Sequence, residues 1–163
     1  MRKHAISLIP LLFVLFMIIL PACTDHGLEP IREGISGRIT YVGAWPDTTE
    51  WVRLAVFKKL PPSVFDIPLN PPVFSDTLPR FVSSYDYNLT LAPGTYEWVV
   101  LAWKPKKQFA SSDYSGLDTL GMYSVANNPD TPRAIAVPAR DLLTGVDIIA
   151  DFARLSPPSP ILP

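Results

Sequence analysis

Cysteine and histidine are almost absent from this chain of 163 residues, with one cysteine and two histidines, and that scarcity removes several function classes at once. A single Cys23 excludes an internal disulfide and any multi-cysteine metal site. A serine-type hydrolase needs a base titrating near neutrality beside its nucleophile. His4 stands in the first few residues and His26 in a short polar stretch after Cys23, so neither is placed to serve a triad. Glycine is also scarce, at eight, against nineteen prolines. Few helix-favouring runs follow residue 22, and this composition points to strands joined by stiff loops.

Charge is nearly balanced, at a formal −1. Only Lys104, Lys106 and Lys107 cluster, interrupted by Pro105. Nucleic-acid binding would need a basic stripe that releases phosphate counterions, so no nucleic-acid partner is expected. No apolar run reaches the roughly twenty residues that a membrane-spanning helix requires. Leu11 to Leu20 is uninterrupted, and Pro10 would break any longer span.

That short run has a different meaning in context. Met1, Arg2, Lys3 and His4 form a positive start, Ala5 to Leu20 an apolar centre, and Pro21-Ala22-Cys23 a short exit, which is the anatomy of a signal peptide. Leu20-Pro21-Ala22-Cys23 resembles the lipobox of bacterial lipoproteins, although Pro21 stands where that family more often has Ser, Ala or Thr. The resemblance implies cleavage between Ala22 and Cys23 and lipidation of Cys23. Removing residues 1–22 takes away Arg2 and Lys3 and no acid, leaving twelve basic residues against fifteen acidic ones, a net −3. One acyl chain gives only reversible membrane binding, whereas the two or three implied for Cys23 make attachment effectively permanent. Thr24, and not Asp, follows the cysteine, as in lipoproteins sent to the outer membrane. The expected location is the bacterial cell envelope, lipid-anchored to a membrane, the outer more than the inner, facing the periplasm or the exterior.

Residues 23–33 read as a tether, with Gly27, Pro30 and mixed charge but no periodicity. From Gly34 the alternation of half-buried strands begins: Ile35, Gly37, Ile39 and Tyr41 share one face. Val52, Leu54 and Val56 alternate with Trp51, Arg53, Ala55 and Phe57, apolar on both sides as in a strand interior to a sheet. Residues 60–79 hold six prolines, which exclude a central strand and leave an irregular edge with short extended pieces at Val64–Ile67 and Val73–Leu78. Tyr85, Tyr87, Leu89 and Leu91 then lead through Ala92-Pro93-Gly94 into Thr95–Trp103, which predicts a hairpin closed by a type II turn. Residues 104–132 read as a long polar connection with Leu120-Gly121-Met122-Tyr123 as its one apolar island. Ala134–Val137 and Gly145–Phe152 close the domain, with Val146, Ile148, Ala150 and Phe152 on one face. Residues 156–163 form a proline-rich tail.

The expectation is therefore an all-β protein: one antiparallel two-sheet sandwich of about seven strands over residues 34–155. Three segments carry a resemblance to a family: Gly34-Ile35-Ser36-Gly37-Arg38-Ile39, Val52-Arg53-Leu54-Ala55-Val56-Phe57 and Tyr87-Asn88-Leu89-Thr90-Leu91-Ala92-Pro93-Gly94-Thr95-Tyr96. Together with the closing Gly145–Phe152 they resemble the carboxypeptidase regulatory-like, or prealbumin-like (transthyretin-like), sandwich domains. The resemblance implies a domain that stiffens, spaces or docks a neighbour, without catalysis of its own.

Candidate chemistry is sparse. Asp147 and Asp151 share a strand face but lie about 13 Å apart along it, too far for the carboxyl pair of a glycosidase. Asp113, Asp118, Asn127, Asn128 and Asp130 offer oxygen ligands without EF-hand spacing and read as ordinary turn residues, so no metal or cofactor is expected. Trp45, beside Pro46 in a turn, is the best candidate for an exposed ring on which a sugar could stack. The chain is read as a non-enzymatic envelope lipoprotein whose sandwich binds or positions a protein partner, with carbohydrate binding through exposed aromatics as the alternative.

Overall fold

The computed structural model describes residues 32–59, 69–106, 117–126 and 128–155. The segment read as a signal peptide, Cys23, nearly all of the segment read as a tether, Val64–Ile67, Asp113, Asn127 and residues 156–163 lie outside the described residues.

The described chain is all-β: β1 (Gly34–Val42), β2 (Thr49–Phe57), β3 (Val73–Phe74), β4 (Ser84–Thr90), β5 (Gly94–Tyr96), β6 (Trp98–Pro105), β7 (Asp118–Met122), β8 (Ser124–Val125), β9 (Asn128–Pro132), β10 (Ile135–Val137), β11 (Leu142–Leu143) and β12 (Ile148–Asp151). Seven of the twelve have four residues or more; six of these, β1, β2, β4, β6, β7 and β12, form the body of the two large sheets, and the seventh, β9, belongs to a small separate ribbon. The only helical element among the described residues is one 3₁₀ turn, Phe152–Arg154, capped by the Asp151 carboxylate.

In the first sheet β1 is central, with β4 antiparallel along one side and β11 then β12 along the other. The second sheet runs β3-β2-β6-β7, all antiparallel. Alternation in the sequence becomes burial here: Ile35, Ile39 and Tyr41 of β1, Val52, Leu54 and Val56 of β2, Val99, Leu101 and Trp103 of β6, and Ile148 and Ala150 of β12 face one another in the core. Each large apolar side chain so buried contributes about 1.5–3 kcal/mol. The opposite face of β2 and β6 carries a second buried cluster, Ala55, Phe57, Trp98 and Val100 with Met122, as expected for an interior strand apolar on both sides.

Three details differ from the sequence reading. The pairing of β1 with β11 and β12 is parallel, because the last strand returns to the edge of the first sheet with the direction of the first strand. The predicted hairpin does not form: β4 pairs with β1, β5 with β10, and β6 with β2. Ala92-Pro93-Gly94 instead carries the chain from one sheet to the other, with Gly94 at φ 146°. The Tyr96 hydroxyl, 2.9 Å from the Ala92 carbonyl to which it donates, ties the corner as tyrosine corners do in other sandwiches. The strand then breaks at Glu97, whose N–H donates to the Phe57 carbonyl. Tyr96 consequently joins the main core while Trp98, two residues on, joins the outer cluster.

The third difference is in residues 104–132, read from sequence as a connection. They contain β7, which pairs with β6 across a bulge near Leu101, and the small ribbon β8–β9. The apolar island is the reason, since Leu120 joins the main core and Met122 the outer cluster, on opposite faces of one strand.

Candidate functional site

Two surfaces concentrate what the chain offers. The first lies at the end of β1, about 26 Å along the strand from where the strand begins at Gly34. Here the Trp45 ring lies 4.6 Å from Tyr41, 4.6 Å from Phe152 and 5.7 Å from Phe81, centroid to centroid. Its indole N–H donates to the Val82 carbonyl at 2.9 Å. Trp45 is thus half-buried and committed to the core edge, not the free platform expected of a turn residue. The exposed ring of this group is Phe81, 59 % accessible and held at φ 60°, a conformation that a bulky residue rarely adopts. No sequence signal marks Phe81, since neither Arg80 nor Val82 beside it is a residue type that announces a left-handed turn. Arg80 stands over the Phe81 ring at 5.9 Å while one of its guanidinium nitrogens donates to the Thr49 and Glu50 carbonyls. Beneath them burial pushes the Tyr41 hydroxyl up to about 12, and it finds no hydrogen-bond partner among the described residues.

The remaining tryptophans are engaged elsewhere. Trp103 donates to the buried Thr49 hydroxyl at 2.9 Å. Trp98 lies in the outer cluster. Trp51 is half-buried under Arg53 at 5.0 Å and Lys104 at 5.9 Å, a cation–π arrangement on the outer face of the second sheet.

The second surface is a groove of about 910 Å³ between β7, the β8–β9 ribbon and the outward face of β12. Its apolar part includes Ile149, 68 % accessible, and Val125, 43 % accessible. Its polar part includes Asp130, Asp147, Asp151 and Arg154. Asp147 and Asp151 do share a strand face, and each already holds backbone through Oδ1: Asp147 accepts from the Arg38 N–H at 2.7 Å and Asp151 from the Ala153 N–H at 2.9 Å. Arg154 pairs with Asp130 at 2.9 Å. The Asn128 side-chain oxygen accepts from the Asp130 N–H, the local turn role expected of such residues. Among the described residues no three His, Cys, Asp or Glu side chains gather closely enough to hold a metal ion.

The carboxylates therefore act as backbone anchors, and the strands deliver an apolar residue flanked by acids to the groove. Cys23 and Ala22 fall outside the described residues and are not brought to either surface. No protein-family model, curated protein or solved structure matches the chain.

Proposed function

We infer that this protein is a lipid-anchored component of the bacterial envelope whose sandwich domain binds a protein partner without catalysing a reaction. The reading of the anchor rests on Leu20-Pro21-Ala22-Cys23. The observation that carries the binding role is the open groove beside β12, where an exposed Ile149 lies among Asp147, Asp151, Asp130 and Arg154, side chains already committed to backbone amides or to each other. Asp147 and Asp151 are each fixed by a hydrogen bond from a backbone N–H, so their side chains hold a set position beside Ile149. Stacking of a sugar on Trp45, the alternative, loses support because that ring is packed against Tyr41, Phe81 and Phe152.

The test is site-specific photocrosslinking in intact cells. A photoreactive residue at Ile149 is expected to give a discrete protein adduct, and the same residue at Asn88, on the polar outer face of β4, is expected to give none. Equal labelling from both positions, or none from Ile149, would refute the binding role. Cys23→Ser in parallel is expected to release the protein from the membrane fraction, and retention of that variant would refute the lipid anchor.

A further inference from the structure

We propose that the groove beside β12 recognises an extended polypeptide segment that presents a cation, an apolar residue and a second cation on one face, at alternate positions. The proposal deepens the binding role inferred above by assigning the chemistry of the partner.

The argument begins with periodicity. Asp147, Ile149 and Asp151 are spaced by two, so they project from the same face, while Ile148 and Ala150 between them are buried in the core. Side chains on one face of an extended chain recur about every 7 Å. The groove thus displays acid, apolar, acid at that repeat. A second extended chain lying alongside has the same repeat, so residues i, i+2 and i+4 of the partner meet the three positions in step.

Charge sets the sign. Of the lining side chains, Asp130, Asp147 and Asp151 are anionic and Arg154 alone is cationic, and Arg154 is already paired with Asp130. A net negative charge remains around an apolar centre, which attracts lysine or arginine at the flanks and repels acids there. Ile149 supplies the contact that burial rewards, being 68 % accessible when the groove is open. A simple metal ion does not fit, since Asp147 and Asp151 are about 13 Å apart along the strand whereas calcium ligands lie within about 2.6 Å of the ion.

The shape is maintained by the protein itself. Gly121 of β7 lies against the Ile149 carbonyl so closely that an added Cβ would stand 2.1 Å from the oxygen, which fixes β12 relative to β7 at the centre of the groove. The Arg154–Asp130 pair links the β8–β9 ribbon to the turn that follows β12.

The experiment uses the full lipidated protein in nanodiscs of zwitterionic lipid, with empty nanodiscs as the blank. Three fluorescein-labelled peptides are titrated by anisotropy: Ser-Lys-Ser-Leu-Ser-Lys-Ser, its permutation Ser-Lys-Ser-Lys-Ser-Leu-Ser, and the acidic Ser-Glu-Ser-Leu-Ser-Glu-Ser. The first is expected to bind most tightly and the acidic peptide least. The double variant Asp147→Asn/Asp151→Asn, which keeps the Oδ1 acceptors but removes the charges, is expected to weaken the first peptide by about tenfold. Ile149→Ser is expected to remove the preference for the first peptide over its permutation. Equal affinity for all three peptides, no binding of the first, or indifference to both variants overturns the proposal. A photocrosslinked adduct at Ile149 in cells combined with no peptide preference would leave the binding role standing and refute only the partner chemistry assigned here.

Discussion

Gly121 and Ile149 meet backbone to backbone across the open edge of the sandwich: β7 of one sheet and β12 of the other approach until there is no room for a methyl group between them. The contact joins the two sheets on the side away from β4 and sets the floor of the groove. Ile149 can be exposed while Ile148 and Ala150 are core because β12 is held at its backbone and not by that side chain.

Gly121→Ala forces the Ile149 carbonyl to move, since the new Cβ would meet backbone and not a flexible side chain. Overpacking of this kind costs about 1–3 kcal/mol. Urea denaturation should show a lower midpoint with an unchanged slope, and Ile149→Ser, which touches no core, should leave the midpoint close to that of the parent.

Thr49 is fully buried, and its hydroxyl receives the Trp103 indole N–H while donating to the Pro46 carbonyl at 2.7 Å. Thr49→Val keeps the volume and strands the indole N–H, a loss of about 1–3 kcal/mol. Thr49→Ser restores the acceptor, so its thermal midpoint should lie well above that of the valine variant; equal midpoints would show that the hydroxyl contributes nothing.

At the sheet-to-sheet corner, Tyr96→Phe removes the hydrogen bond to Ala92 and little else. The expected cost is about 0.5–1.5 kcal/mol. Hydrogen exchange should become faster at the amides around residues 92–97 before it changes elsewhere.

Alkaline pH should unfold the domain through its buried tyrosines. Burial raises Tyr41 from 10.0 to about 12, and burial aided by the nearby Asp147 charge raises Tyr87 as well. A phenol whose folded value is raised ionises first in the unfolded chain, so stability is intact below pH 10 and falls as the pH climbs from 10 toward 12. Tyr87 also donates to the Val146 carbonyl at 2.6 Å, so Tyr87→Phe should destabilise at neutral pH. Among the described residues the Tyr41 hydroxyl has no partner to lose, so Tyr41→Phe should be neutral or stabilising at pH 7 and should flatten the decline above pH 10. A Tyr41→Phe variant clearly less stable at neutral pH would contradict the unpaired hydroxyl.

Much of the architecture was legible before any coordinates. The period-two burial of Ile35, Ile39 and Tyr41, of Val52, Leu54 and Val56, and of Val146, Ile148, Ala150 and Phe152 follows from alternation, which is a local property of an extended chain. The apolar character of both faces of β2 likewise marked it as interior. Asp151 ends β12 and Asp147 stands one residue before it, both exposed or half-exposed on the side opposite Ile148 and Ala150. Trp45 is half-buried where the sequence reads as exposed, because a tryptophan next to a proline in a turn gives no local sign that Tyr41, Phe81 and Phe152 will surround it.

What the sequence by itself determined is where β1, β2, β4, β6 and β12 run and which face each one buries, because side-chain alternation needs no knowledge of the rest of the chain. By contrast, β7 and the β8–β9 ribbon lack that alternation and read as a connection. Which strand lies beside which was decided only by the tertiary structure. Ala92-Pro93-Gly94 is compatible with a hairpin or with a crossing between sheets, and here it is a crossing, with β4 paired along β1, β6 along β2 and the Tyr96 hydroxyl tied to the Ala92 carbonyl. The groove is of the second kind: its walls come from β7, the β8–β9 ribbon and β12, and only the approach of β7 to β12, with glycine at the point of contact, and the pairing of Arg154 with Asp130 bring them to one place.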